Sequence, residues 1–267
     1  MARESANAPF LRNAWYVAAW SEELDGGLMG RTIMNEPIAF FRNAEGKVCA
    51  VEDRCCHRGA ALTAGKVVEN GLQCGYHGLV YDGDGKCVEI PGQDMIPSIA
   101  RIKSYPVVEK QEFIWIWMGD PQLATPETIV DWWIHDKPDQ FPHRKAVMPI
   151  KANYLMMIDN LMDLTHLGYV HTKTIGGNPK IHVAAEMETV RTETGCKYTR
   201  WMLDAVPPPT YVKGAGFKGK IDRCVWEARN SVIRQAQEKQ RQEAEANAAL
   251  ALGAGLILGG IVGAVLF

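Results

Sequence analysis

Cys55-Cys56-His57, followed after sixteen intervening residues by Cys74-Gly75-Tyr76-His77, is the stretch on which the reading of the fold turns. Each half supplies one thiol and one imidazole, as C-x-H and C-x-x-H. Zinc also accepts Cys/His quartets, but zinc fingers usually pair Cys with Cys and His with His inside a half-site. Mixed half-sites let two loops each give one ligand to each iron of a [2Fe–2S] cluster, with both cysteines on one iron and both histidines on the other. Exchanging two thiolates for neutral imidazoles removes negative charge and raises the potential, which suits an electron relay. Structural zinc is the alternative reading of the quartet.

Working outward, Pro37 to Arg42, Asn43-Ala44-Glu45-Gly46 and Lys47 to Val51 read as strand, turn and strand. Leu79-Val80-Tyr81, Asp82-Gly83-Asp84-Gly85 and Lys86 to Ile90 repeat the pattern. Both ligand pairs therefore fall on loops between short strands, where rigid scaffolds carry function. The all-β character runs to Phe113–Met118, closed by Gly119-Asp120-Pro121. Trp115, Trp117, Trp132 and Trp133 are assigned to core or interface packing. Cys49 and Cys87 lie in strand-like runs and read as small buried hydrophobes. Cys56 reads as a free thiol, and Cys196 and Cys224 show no partner pattern.

The chain has 267 residues, 47% hydrophobic content and a net charge of −2. That is enough apolar material for a packed core. The charges are interspersed without a basic stripe, which argues against nucleic acid as a partner. Seven cysteines, an odd number, and a Met1–Phe10 start without an apolar core point to a reducing, cytoplasmic setting.

Pro126, Pro138, Pro142 and Pro149 punctuate a connection. A helical segment is then expected from Tyr154 to His171, followed by strands over Val183–Thr192 and Cys196–Leu203. Pro207-Pro208-Pro209 ends that run. The expected class is α+β: an all-β domain over 1–120 and an incomplete helix-on-antiparallel-sheet domain over 121–226. A polar helix over 227–247 and an apolar C-terminal helix over 248–267 complete the chain.

Asn160, Asp163, His166 and His171 form a second constellation. On a regular helix the first three share one face. His171 lies about 140° away from His166, so the two imidazoles converge only if the helix loosens, and Gly168 marks where a π-bulge or helix end fits. Two histidines and a carboxylate are the facial triad of non-haem Fe(II) oxygenases. Taken alone, two helix histidines are more often core or surface residues; the upstream cluster favours the iron, because a one-electron relay needs an acceptor.

The segment Asp159-Asn160-Leu161-Met162-Asp163-Leu164-Thr165-His166-Leu167-Gly168-Tyr169-Val170-His171 resembles the iron-binding helix of Rieske non-haem iron oxygenase α subunits. Arg12 to Ala19 and Leu72 to Leu79 are similar to the vanillate O-demethylase and dicamba monooxygenase branch. The resemblance runs from roughly Leu11 to Arg223. It implies Cys55, His57, Cys74 and His77 as cluster ligands and His166 and His171 as ligands of a mononuclear Fe(II). It implies that Asp163 bridges that iron to a cluster histidine of a neighbouring subunit in a homotrimer, and that Asn160 lies near the substrate. A flavin/iron–sulfur reductase would supply electrons, and an aromatic acid would be hydroxylated or demethylated with O₂.

The same resemblance implies a third iron ligand, an Asp on a helix further downstream. No Asp follows Asp222, and neither Asp204 nor Asp222 sits in a matching segment. The expectation is therefore a shortened oxygenase with weak activity. A Rieske electron carrier and a membrane-tethered Rieske protein are the alternatives. Residues 248–267 are uncharged and, as a helix, just long enough to span a bilayer, so a C-terminal anchor with a cytoplasmic body is the alternative location.

Overall fold

The computed structural model of the chain describes residues 10–192, 195–216, 219, 221–231 and 254–255. The chain divides at Ile150 into two compact units. The first carries strands β1 (Ala14–Trp20), β2 (Leu28–Ile33), β3 (Glu36–Arg42), β4 (Val48–Glu52), β5 (Lys66–Val68) and β6 (Gly71–Gln73). It continues with β7 (Val80–Tyr81), β8 (Cys87–Glu89), β9 (Ser104–Tyr105), β10 (Val107–Lys110) and β11 (Phe113–Met118). They form three antiparallel sheets, ordered β1-β11-β10, β2-β3-β4-β9 and β5-β6-β7-β8.

The alternation in β3 shows how these sheets are held. Ile38 and Phe40 enter one apolar cluster, with Ala18, Leu24, Ile114 and Ile116. Ala39 and Phe41 enter a second, with Val51, Leu62, Leu72 and Tyr81. Side chains of a strand alternate between faces, and all four of these residues are fully buried, so β3 is covered on both sides. In β11 the even residues face the first cluster. The odd ones stack elsewhere: Trp117 against Trp15 at 5.4 Å and Phe113 against Trp20 at 4.3 Å.

The two hairpin turns expected from the repeated pattern have one construction. Asn43 Oδ1 accepts from Glu45 N and Lys47 N at 3.1 and 2.9 Å. Asp82 Oδ1 accepts from Asp84 N and Lys86 N at 3.0 and 2.9 Å. An Asn or Asp that bonds its own downstream backbone closes a turn without help from tertiary structure. Cys49 and Cys87 are buried, and Cys56 is a free, exposed thiol. Trp133, expected to pack in a core or interface, is 48% exposed and meets Phe141 edge-on with Lys137 over its ring.

Residues 121–150 pack with the first unit. Trp15 Nε1–H donates to the Thr125 carbonyl at 3.0 Å, and Lys145 pairs with Glu22 and Glu112 at 3.0 and 2.8 Å. The proline-punctuated connection is thus tied to the β1 edge and the β10–β11 turn.

The second unit carries α1 (Tyr154–Met162), α2 (Leu167–Val170), α3 (Pro179–Ala184), β12 (Glu186–Thr192) and β13 (Gly195–Ala205), then α4 (Pro209–Ala215), β14 (Ile221–Ser231) and β15 (Ala254–Gly255). The strands form one antiparallel sheet in the order β12-β13-β14-β15. Leu164, Leu167, Tyr198, Met202 and Ala205 make its core, against Met162, Ile175, Ile181 and Tyr211. The β-rich first unit and the helix-and-sheet second unit are an α+β arrangement.

Three expectations need correction. Val183 lies in α3, not in a strand, because Asn178 caps the backbone N–H of Lys180 at 3.0 Å with Pro179 in the first turn. Residues 227–231, expected to open the polar helix, continue β14 and pair with β13; the rest of 227–247 lies outside the described residues. Ala254–Gly255, inside the segment expected as an apolar helix, pair with β14 as a strand, and the rest of 248–267 is outside the described residues. Among the described residues no helix is long and apolar enough to cross a membrane.

Gly168 fixes the approach of α2 to α3. A Cβ built there would stand 2.6 Å from Pro179 Cα, closer than any relaxed contact. Gly168→Ala is expected to force the two helices apart and cost about 1–3 kcal/mol. Urea unfolding followed by circular dichroism would read that loss.

Candidate metal centres

The two Cys/His loops have the same backbone wiring. Each cysteine N–H donates to the carbonyl five residues on, Cys55 to Ala60 at 2.9 Å and Cys74 to Leu79 at 2.8 Å. Each glycine four residues on donates back to the cysteine carbonyl, Gly59 to Cys55 at 2.9 Å and Gly78 to Cys74 at 3.1 Å. Gly59 and Gly78 have φ of +71° and +78°, a conformation that glycine adopts without steric cost. The cysteine thus opens each loop from inside the core and the histidine is lifted to its rim.

The consequence is a sorted ligand set. Cys55 and Cys74 are 3% and 2% exposed and belong to the second apolar cluster. His57 and His77 are exposed, with ring centroids 4.5 Å apart. Both cysteines are free of disulfides. Two buried thiols behind two neighbouring, solvent-facing imidazoles fit a [2Fe–2S] cluster whose histidine-bound iron faces outward.

Tyr81 of β7, fully buried, places its hydroxyl 3.1 Å from Cys55 Sγ and 3.2 Å from Cys56 Sγ. The Cys56 N–H donates to the same oxygen at 3.3 Å. Burial, then the two sulfurs, push the phenol well above its ordinary pKa, so it remains an O–H donor. Hydrogen bonds to cluster sulfurs raise the potential. Sequence reading missed this residue, whose only signal was a tyrosine in a short apolar strand next to the second ligand pair.

In the second unit the expected continuous helix is broken. Asp163 has extended backbone, φ −96° and ψ 96°, between α1 and a 3-10 turn over Leu164–His166. Its Oδ1 accepts from Thr165 N at 2.9 Å and from the Thr165 hydroxyl. Such local bonding competes with helix continuation, so the break falls at Asp163 and not at Gly168. Asn160, Asp163 and His166 therefore do not share a helix face; Asn160 is exposed on α1.

The break does what the expected bulge was to do. His166 and His171 are half-buried, with ring centroids 5.3 Å apart. His166 Nδ1 lies 2.6 Å from the Asp163 carbonyl. A carbonyl only accepts, so the proton sits on Nδ1 and the Nε2 lone pair is left for a metal. His171 is held from both sides: its N–H donates to Leu167 O at 3.1 Å and its carbonyl accepts from Gly176 N at 2.8 Å. These two imidazoles suit a mononuclear iron. Among the described residues no carboxylate closes a three-ligand group with them. Asp204 is exposed at the end of β13 with φ +47°, and Asp222 is described only as a β14 backbone position. Asp163 is exposed, and its two bonds to Thr165 outweigh burial and hold its carboxyl below the usual range.

The buried polar groups of this unit were not anticipated. Arg200 of β13 is 6% exposed and His182 of α3 is 2% exposed. Arg200 Nε and Nη1 and His182 Nδ1 have no hydrogen-bond partner among the described residues. Arg200 lies between Tyr198 and Met202 on the β13 face that packs on Leu164 and Leu167, beside the turn that carries His166. Burial first, then the Arg200 charge, lower the pKa of His182. Leaving buried guanidinium nitrogens unpaired is costly, and a ligand anion would offset that cost. The signal in the sequence was an Arg in the period-2 set Tyr198, Arg200, Met202, an otherwise apolar face.

Comparison with known proteins identifies two domains. Residues 14–106 match the Rieske [2Fe-2S] domain, and residues 150–250 match the vanillate O-demethylase oxygenase C-terminal domain. The chain is 44% identical over 216 residues to the toluene-4-sulfonate monooxygenase system iron-sulfur subunit of Comamonas testosteroni, covering 80% of this chain and 62% of that one. Dicamba monooxygenase bound to 3,6-dichlorosalicylic acid superposes with a TM-score of 0.72 at 33% identity, covering 85% of this chain and 69% of that one. Its structure with non-haem iron and dicamba gives a TM-score of 0.69 at 33% identity, covering 85% and 64%. The chain spans about three-fifths of the length of the curated relative it matches. With a cluster-type Cys₂His₂ pair of loops and a histidine pair on a broken helix, in matching order and on a matching fold, the chain belongs to the Rieske non-haem iron oxygenase family, whose cofactors are a [2Fe–2S] cluster and a non-haem iron.

Proposed function

We propose that this chain is the oxygenase component of a monooxygenase or O-demethylase that acts on an aromatic acid, supplied with electrons by a separate flavin/iron–sulfur reductase. The observation that carries the reading is the pairing of two sites: exposed His57 and His77 above two buried thiols, and His166 with its Nε2 turned free beside His171. Cys55, His57, Cys74 and His77 would hold the cluster; His166 and His171 would hold the iron. Together these groups supply one-electron transfer and O₂ chemistry; the remaining roles belong to the side chains around them.

His57 and His77 present the solvent-facing edge at which a reductase can deliver an electron. Tyr81 keeps the sulfur side hydrogen-bonded and dry. Arg200, with the His182 ring nearby, supplies a buried positive charge for the carboxylate or sulfonate of the substrate, which supports an aromatic acid over a neutral aromatic. Asp163 keeps its Oδ2 clear of Thr165 and ionised, which suits an acceptor for the imidazole N–H of a cluster histidine from another copy in a trimer. Asn160 lies one helical turn earlier, at the substrate end of that route.

Asp163→Ala is expected to slow electron transfer from cluster to iron about 10–100-fold, the usual cost of losing a group that orients a metal ligand. Stopped-flow reduction and reoxidation of the cluster would measure it, and loss of the cluster's own spectrum would contradict the assignment. Iron and acid-labile sulfide on purified protein test the whole reading. An oxygenase holds three irons for every two sulfides. Two irons for two sulfides would instead mark an electron carrier, the reading favoured by the lack, among the described residues, of a carboxylate that closes a three-ligand group with His166 and His171.

A further inference from the structure

A second group of metal-type ligands lies in the first unit, away from the cluster loops. Glu112 Oε2 is 2.9 Å from His135 Nδ1 and 2.6 Å from His143 Nε2. The two imidazole centroids are 4.4 Å apart, and both histidine side chains are 12% exposed. These three ligand atoms all lie within 4.8 Å of one another. We propose that Glu112, His135 and His143 form a binding site for a divalent transition metal, best matched by zinc, that clips the 131–145 segment onto the β10–β11 turn.

Proton positions make the first argument. His143 Nδ1 faces the Phe141 carbonyl at 2.9 Å, and a carbonyl can only accept, so Nδ1 carries a proton. His143 Nε2 faces a carboxylate oxygen, which also only accepts. In a neutral imidazole that nitrogen would point a lone pair at a negative oxygen. The contact is favourable only with a second proton on the ring or with a cation shared by the two atoms. His135 Nδ1 turns to the same oxygen, so one carboxylate oxygen collects two imidazole nitrogens. Two imidazoles and one carboxylate oxygen, with a fourth position for water, are a zinc-type donor set.

The surroundings are those of a supported ligand set. Ligating histidines usually donate their other N–H to a backbone carbonyl, and ligating carboxylates are themselves hydrogen-bonded. His143 has Phe141 O for the first role. Glu112 has Lys145 Nζ on its other oxygen at 2.8 Å, leaving Oε2 for the metal. The ring of His135 packs on Phe113 at 5.1 Å and Trp20 at 5.9 Å, which limits its rotation. A tetrahedral zinc with ligands at about 2.0–2.1 Å separates its donor atoms by about 3.3 Å, so the two carboxylate–imidazole contacts, at 2.9 and 2.6 Å, need to open by well under 1 Å.

The backbone gives a second reason for a clip. Gln111 and Glu112 both have positive φ, 55° and 67°, a turn that Asn-Gly or Gly-Gly ordinarily fills. Neither residue is chosen for that conformation. Both side chains instead reach the segment that follows the domain's last strand: Gln111 Nε2 bonds Asp131 at 2.6 Å and Asp136 at 2.9 Å, and Glu112 bonds the two histidines. Strained backbone persists where the surroundings over-determine it.

The test is equilibrium dialysis of the purified protein, cluster in place, against zinc chloride, with bound zinc counted by atomic absorption. His143→Gln and Glu112→Gln are each expected to bind one zinc fewer than the parent chain. His171→Ala, which alters the separate histidine pair, keeps this zinc, and so separates the two sites. An equal zinc count in the parent and both variants would overturn the proposal and leave a proton-held ion pair. Should the variants lose the cluster's absorption, parent crystals soaked in zinc decide: an anomalous peak bonded to Glu112, His135 and His143 supports the site, and its absence overturns it.

Discussion

His57→Cys lowers the midpoint potential of the cluster by a few hundred millivolts. The range for clusters with two histidines is about −150 to +300 mV, against about −400 mV for all-cysteine plant-type ferredoxins. The added thiolate brings negative charge to the solvent-facing iron, which disfavours the reduced state. The exposed position of His57 leaves room for the shorter side chain without repacking the core. An EPR-monitored redox titration would read the shift. An unchanged potential in a fully loaded cluster would mean that His57 is not a ligand. Tyr81→Phe acts in the same direction and more weakly, since it removes one hydrogen bond from the sulfur side and leaves all four ligands in place.

Arg200→Met has two effects of opposite sign, and their opposition is what identifies an anion-binding role. Without ligand, the substitution replaces a buried guanidinium that has unpaired nitrogens with an apolar side chain of similar length. Such replacements are neutral or stabilising, so the free protein is expected to unfold at the same or a higher temperature. With ligand, the loss of charge-assisted hydrogen bonds to a carboxylate costs about 1.5–3 kcal/mol, which is about tenfold to more than hundredfold in affinity. Calorimetry with 4-methoxybenzoate and with its neutral amide separates charge from shape, because only the acid should lose affinity. A destabilised protein with unchanged binding of the acid would show Arg200 to be a structural residue.

Much of the first unit could be read from the sequence because its information is local. The turns at Asn43 and Asp82 close through their own side chains, and the glycines after each cysteine set the loop that holds it. The alternation in β3 and β11 follows from strand geometry. The second unit was less legible. Its expected helix breaks at Asp163 because one carboxylate oxygen binds Thr165 locally, a competition that helical periodicity does not register. The strand expected from Val183 gave way to α3 because Asn178 and Pro179 form a helix start that hydropathy alone does not weigh.

Two short motifs by themselves pointed to the cluster chemistry proposed for this chain. Ligand type and spacing are covalent facts, and the loops that present them close with bonds reaching only five residues. Tertiary structure alone decided which distant polar groups meet. Glu112 finds histidines 23 and 31 positions later, and Arg200 is buried within electrostatic reach of Asp163. Those encounters depend on how separate elements pack, and no local periodicity encodes that packing.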